Sequence, residues 1–109
     1  ISRLDAGVAE LVAENVDVRS VVLRAVEAVR GIADETGTEL ELLLPHGVYA
    51  EIDNRRVERI VRNLVANAVD HGEGRPVRVE LAADDLAVAV LVRDQGVGLR
   101  PGEAALVFN

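Results

Sequence analysis

Residues 53–74 read DNRRVERIVRNLVANAVDHGEG, and the folding of this stretch decides how the rest of the chain is arranged. Asp53 suits a helix N-cap, and Gly72, Gly74 and Pro76 supply a stop, so one long helix is predicted. On a wheel of about 100° per residue with Val57 at zero, Val57, Ile60, Val61, Leu64, Val65 and Ala68 fall between about 300° and about 80°. Asn63 and Asn67 fall at about 240° and about 280°, beside Arg56 and just outside that apolar arc. Asparagine is a mediocre helix former and gains nothing in an apolar interface, so a four-spaced pair needs a reason. Its place on the wheel is a flank, where the helix can form one wall of a cleft.

An amide oxygen on such a wall can complete the shell of a magnesium ion whose other ligands are water and phosphate oxygens. Taken alone, the pair is read more simply as solvated asparagines. A second stretch, Asp94-Gln95-Gly96-Val97-Gly98, changes the balance. Its glycines permit positive φ and let the backbone approach a flat ring closely. Asp94 can accept a hydrogen bond from an exocyclic amine. Adenine offers that donor, whereas guanine presents a carbonyl whose lone pairs would face the carboxylate, at a cost of about 1–3 kcal/mol or more if left unpaired. By itself this stretch also reads as a plain turn after a strand.

The remainder of the chain supports a layered α+β domain. Ile1, Leu4, Val8 and Leu11 repeat at alternating intervals of three and four, the pattern of a short two-stranded seam or of a frayed amphipathic end. Residues 14–18 are predicted as a short edge strand. Asp17 then caps a helix whose apolar face runs from Val18 to Ala33, and Gly37 ends it. Residues 38–44 and 48–52 read as strands separated by Pro45-His46-Gly47. Beyond the central helix, Val77, Val79 and Leu81 alternate with Arg78 and Glu80, giving a strand with one solvated face. Asp84-Asp85 marks a turn, and residues 86–92 are apolar almost throughout, as a strand covered on both sides would be. A short helix is expected at the end. The two long helices are expected to pack side by side on one face of a single mixed β-sheet.

Composition narrows the chemistry. Of 109 residues, Tyr49 and Phe108 alone are aromatic, so Val, Leu and Ala must fill the core. A net charge of −7 argues against nucleic acid or an acidic membrane face as a main partner. The 12 Lys and Arg positions are all arginine, which removes lysine nucleophiles, Schiff bases and a phosphate-loop lysine. With no cysteine, disulfides, thiolate zinc clusters and thiol catalysis are excluded. No apolar run approaches the roughly 18 residues of a membrane span. The chain begins with Ile1 rather than methionine, so it is expected to be a piece of a longer protein.

The run Asn63-Leu64-Val65-Ala66-Asn67-Ala68, two strands, and then Asp94-x-Gly96-x-Gly98-Leu99 resembles the N box and first glycine box of sensor histidine kinases. These belong to the ATP-binding superfamily shared with DNA gyrase, mismatch-repair ATPases and a heat-shock chaperone. Residues 57–64 and 99–103 resemble an actinobacterial type of such kinases, and residues 1–7 resemble the end of their dimerisation and phosphoacceptor hairpin. The resemblance implies a Bergerat-type two-layer α/β sandwich, C-terminally incomplete. Residues 1–13 would be helix end and linker, and residues 14–109 part of the catalytic ATP-binding domain.

It also implies roles. Asn67 would be the Mg2+ ligand and Asn63 its assistant at metal and phosphates, both counted as catalytic. Asp94 would hold the adenine amine of ATP, between walls shaped by Gly96 and Gly98. His71, at the helix end, is carried as a phosphate-side candidate, although such a histidine is more often structural. His46 reads as a solvated loop residue, and the phosphoacceptor histidine is expected before Ile1. Where gyrase-type ATPases place a water-activating glutamate, this chain has Asn63; an amide lacks that basicity, so phosphoryl transfer is favoured over hydrolysis.

The implied activity is transfer of the γ-phosphoryl of Mg-ATP to a histidine of the dimerisation domain, then to a response regulator. The intact protein would be a homodimer with a cytoplasmic catalytic part and a membrane anchor elsewhere, with no membrane contact by this chain. Three departures from the pattern stand out. Asp70 replaces a common lysine or arginine, Gln95 replaces asparagine, and the sequence stops at Asn109 before the lid and second glycine box. The piece alone is therefore expected to be inactive and a weak nucleotide binder. The alternatives are a family ATPase or anti-sigma serine kinase, or a non-catalytic interaction module on the same fold.

Overall fold

Two aspartates start the two long helices. In the computed structural model, which describes residues 12–94 and 103–108, α1 (Val18–Thr36) follows Asp17 and α2 (Asn54–His71) follows Asp53. Asp17 accepts from the Arg19 N–H at 3.1 Å and from the Ser20 hydroxyl at 3.2 Å. Asp53 accepts from the Arg56 N–H at 3.2 Å through Oδ1 and from the Val12 N–H at 3.1 Å through Oδ2. Each carboxylate thus satisfies a donor that the first helical turn leaves without an intrahelical partner. α1 ends at Gly37, whose φ of 69° is left-handed, and the Thr38 N–H returns to the Ala33 carbonyl at 2.8 Å.

Six strands accompany the helices: β1 (Ala13–Asp17), β2 (Leu40–Leu43), β3 (Tyr49–Asp53), β4 (Val77–Ala83), β5 (Val88–Asp94) and β6 (Glu103–Phe108). Four of them form a mixed sheet in the order β2-β4-β5-β6, with β2 and β4 parallel and the other pairs antiparallel. Both helices lie on one face of the fold, and α2 rests on β4, β5 and β6. The expected two-layer α+β sandwich is borne out, but the expected single sheet is not, since the strands divide into two sheets. β1 and β3 stand apart as an antiparallel two-stranded ribbon, Ala13 opposite Asp53 and Asp17 opposite Tyr49.

The twelve largest fully buried side chains are all valine: five on α1, three on α2, two on β4 and two on β5. Period fixes which they are. Val57, Val61, Val65 and Val69 recur every four residues on α2, while Val77 and Val79, then Val88, Val90 and Val92, recur every two on the strands. Each buried valine is worth roughly 1.5–3 kcal/mol relative to exposure, the main term holding helices to sheet. Arg24 ties the helices at their rim, its Nε donating to Glu58 Oε1 at 3.0 Å and its Nη2 to Asn54 Oδ1 at 2.7 Å.

Two local expectations are corrected. Residues 86–92 are not covered on both sides: Leu86 is 82% exposed in the β4–β5 turn, and Ala89 and Leu91 face outward, half-buried. The turn is held instead by Asp84, whose Oδ1 accepts from the N–H groups of Leu86 and Ala87 at 2.8 and 2.9 Å. Those two bonds hold its carboxyl below the usual aspartate range. Second, the end of the chain forms β6 rather than a short helix. Ala104, Leu106 and Phe108 alternate with the exposed Glu103, Ala105 and Val107, a period of two that lets Leu106 and Phe108 pack on the core. The seam expected at Ile1, Leu4, Val8 and Leu11 lies outside the described residues.

Candidate functional site

α2 has two working faces. Its valines go inward, while Asn63, Asn67, Asp70 and His71 are exposed along the flank that the wheel predicts. Beside the C-terminal half of α2 runs β5, whose inward positions are Val88, Val90, Val92 and finally Asp94. Because side chains alternate, Asp94 inherits the helix-facing side of the strand and is only 8% exposed. A hydrophobic row thus delivers a carboxylate to the end of the sheet, under the end of α2.

Gly72 sits against that end of the strand. A Cβ at this position would come within 2.7 Å of the Ala68 carbonyl oxygen and 3.7 Å of the Asp94 Cβ. Its φ of −79° is ordinary, so the demand is for space rather than for a special backbone conformation. The chain then turns through Glu73 and Gly74, both at positive φ, and the Val77 N–H reaches the Glu39 carbonyl at 2.9 Å to start β4 beside β2.

Between α2, β5 and β6 lies a cavity of about 190 Å³ lined by Leu64, Asn67, Ala68, His71, Val92, Asp94, Glu103 and Ala104. Ligand pockets generally run from about 300 to 1,000 Å³, so this volume suits part of a nucleotide, the base rather than the whole. Its floor is apolar, with an amide and an imidazole from α2 and a carboxylate from β5 converging on it. Of the residues expected to form a site, Asn67, His71 and Asp94 share this cavity. Asn63 lies one helical turn N-terminal of Asn67 on the same flank, outside the lining. Gly96 and Gly98 lie outside the described residues. Asp70 turns to solvent, and His46 is exposed in its loop.

Glu103 and Ala104 were missed as lining residues. They arrive through the β5–β6 register, Arg93 opposite Glu103 and Val92 opposite Ala104, which a helical reading of the chain end could not supply. Arg93 donates to Glu103 Oε2 from Nη2 at 2.6 Å and from Nε at 3.1 Å. On the same outer face Arg78 lies directly opposite Arg93, with Glu41 beside Arg78. Two like charges meet in the middle of the sheet, each with an acid on the adjoining strand to offset the repulsion.

Among the described residues no group of three or more His, Cys, Asp or Glu could hold a metal ion. On the flank of α2 the oxygen donors are the amides of Asn67 in the cavity and of Asn63 one turn outside it. They fit a magnesium ion that arrives with most of its shell already supplied by phosphate and water, and do not fit an ion held by protein alone.

The chain resembles known proteins in the same terms. The family model described as histidine kinase-, DNA gyrase B- and HSP90-like ATPase matches residues 52–109. Sensor histidine kinase MtrB of Mycobacterium tuberculosis is 60% identical over 110 residues, covering all of this chain and 19% of the relative. Signal transduction histidine-protein kinase AfsQ2 of Streptomyces coelicolor is 39% identical over 109 residues, again covering all of this chain and 19% of the relative. The chain therefore spans about a fifth of the length of these curated relatives. Among solved structures, full-length ShkA in complex with AMPPNP aligns with a TM-score of 0.72 at 29% identity, over 90% of this chain and 22% of that one.

Proposed function

This chain belongs to the histidine kinase-, DNA gyrase B- and HSP90-like ATPase family, and from that premise we propose that its α2–β5 cleft binds ATP with Mg2+ as the nucleotide-binding part of a two-component sensor histidine kinase. Such a kinase transfers the γ-phosphoryl group to a histidine on its own dimerisation domain and then to an aspartate of a response regulator. Residues 1–13 are assigned to the end of the dimerisation helix and its linker, and residues 14–109 to the catalytic domain. The whole protein is assigned as a membrane-anchored homodimer with this part in the cytoplasm.

One observation carries the reading: Asn67, His71 and Asp94, from a helix and a strand distant in sequence, line one cavity with an apolar floor. The 60% identity to MtrB and the AMPPNP complex of ShkA add support. In this reading Asp94 accepts a hydrogen bond from the adenine amine, Val92 and Leu64 pack on the base, and Gly96 and Gly98 shape its other wall. Asn67 gives its amide oxygen to the magnesium ion, and Asn63 assists at the phosphates. The ion, when bound with the nucleotide, screens phosphate charge and orients the transferring group. Asn63 cannot take a proton from water as a glutamate can, so the site binds and positions ATP without promoting its hydrolysis.

Titration with Mg-ATP and Mg-GTP, followed by protein NMR so that weak binding is measured, tests the assignment. ATP should perturb α2 and β5 and GTP should bind at least tenfold more weakly, because the guanine carbonyl would face the buried carboxylate of Asp94. Equal affinity for the two nucleotides would sink the role of Asp94.

A further inference from the structure

The arginines nearest the asparagine flank are mostly held by acids elsewhere, which leaves little positive charge along it. Of the carboxylates near the site, Asp94 lines the cavity and Asp70 stands on the exposed flank, while Glu103, also a lining residue, turns its carboxylate to Arg93 on the outer face of the sheet. Arg93 is committed to Glu103, with its Nη2 at 2.6 Å. Arg56, in line with the asparagines, is drawn to the N-cap, its Nε 3.7 Å from Asp53 Oδ2. A polyphosphate lying along this flank would therefore meet two neutral amides and the exposed Asp70 carboxylate.

One arginine is placed differently. Arg59 is four residues before Asn63 and eight before Asn67, so the three form a single row that turns by about 40° per step and climbs about 6 Å per step. It is exposed and has no hydrogen-bond or ion-pair partner among the described residues. With Arg55, Glu58 and Arg62 it lines a shallow recess of about 170 Å³, in which Glu58 is already engaged by Arg24 at 3.0 Å. Arg55 and Arg62 lie about 40° and about 60° further round the helix than Arg59, away from the asparagine row. Arg59 alone stands between the free basic recess and the cleft.

We propose that Arg59 receives the distal phosphate of the bound nucleotide, extending the site from Asp94 at the base, past Asn67 and Asn63, to a guanidinium one turn further along α2. The inference rests on the assignment of the cleft as an ATP site and adds its far end. Its guanidinium offers paired N–H donors matched to phosphate oxygens, and its single charge replaces the cation that Asp70 does not provide. A polyphosphate docked this way runs antiparallel to the chain direction of α2, toward the positive end of the helix dipole.

The test compares the chain with Arg59→Gln, Arg62→Gln and Asp94→Asn, titrating each with Mg-ATP, Mg-ADP and adenosine by NMR and checking each fold by thermal unfolding. Arg59→Gln should weaken ATP about tenfold and ADP less, and leave adenosine unchanged, as loss of one charge-assisted contact predicts. Arg62→Gln should bind all three like the unaltered chain. An unchanged ratio of ATP to adenosine affinity in Arg59→Gln overturns the proposal while leaving the ATP site standing. Equal losses in Arg59→Gln and Arg62→Gln also overturn it, since the effect would then be a diffuse field. Adenosine binding indifferent to Asp94→Asn, or no nucleotide binding by the unaltered chain, takes down the site assignment and the proposal with it.

Discussion

Gly72 and Asp94 meet beside the cavity, where a Cβ on the glycine would stand 3.7 Å from the Cβ of the aspartate, an ordinary contact, but only 2.7 Å from the Ala68 carbonyl oxygen. The contact joins the C-cap of α2 to the last residue of β5, next to the cavity that Asn67, His71 and Asp94 line.

Gly72→Ala should therefore lower stability by about 1–3 kcal/mol, the usual cost of overpacking, because the new methyl meets the Ala68 carbonyl at 2.7 Å. Gly31→Ala provides the contrast. Its Cβ would meet nothing within 4 Å on the exposed face of α1, so relief of helix-interior glycine entropy should stabilise by about 0.5–1 kcal/mol. Urea denaturation of the two variants reads both signs.

Acid should unfasten the start of α2. The Asp53 carboxyl is held below its ordinary range by the Arg56 N–H first, then by the Val12 N–H. A depressed folded pKa means that this contribution is complete above the unfolded value of about 3.9, declines as pH falls, and is gone below the folded value. Asp53→Asn should show a flatter stability profile than the unaltered chain between about pH 5 and pH 2, measured by thermal midpoint at each pH.

Removing methylene volume under the cleft should be costly. Val65 is fully buried on α2, so Val65→Ala should destabilise by about 2 kcal/mol through lost transfer energy and an unfilled cavity. A loss under 0.5 kcal/mol in denaturant titration would mean that α2 settles into the gap.

Glu103→Gln tests which side of the sheet the nucleotide occupies. The Arg93–Glu103 pair is exposed on both sides, 49% and 43%, so its loss should change stability by less than about 1 kcal/mol. Because the Glu103 carboxylate lies against Arg93 on the outer face, away from the asparagine flank, Mg-ATP affinity should change less than about threefold, and less still as salt is added. A roughly tenfold change in ATP affinity in this variant would contradict the placement of the nucleotide on the helix side of the sheet.

Much of this was legible because period and caps agree. Asp17, Asp53 and Gly37 mark helix ends with side-chain chemistry that works locally, and four-spaced and two-spaced valines assign helix and strand with little ambiguity. The asparagine flank follows from the same periodicity. What the sequence concealed depends on partners distant along the chain. An apolar run at residues 86–92 says nothing of which side a helix layer covers, and Glu103 enters the cavity only through its register with Arg93. Gly72 reads as a helix stop, and its crowding against the Ala68 carbonyl, which leaves no room for a side chain, needs the fold.

The valine core has a consequence for how the cleft can respond to a ligand. Valine in a helix holds essentially one χ1 rotamer, so a layer built from it has few alternative packings within reach. A nucleotide bound as proposed would press on a layer with few other ways to pack. The expected response is a small tilt or slide of α2 as a unit over β4 and β5, the helix acting as a lever on a bearing of stiff side chains.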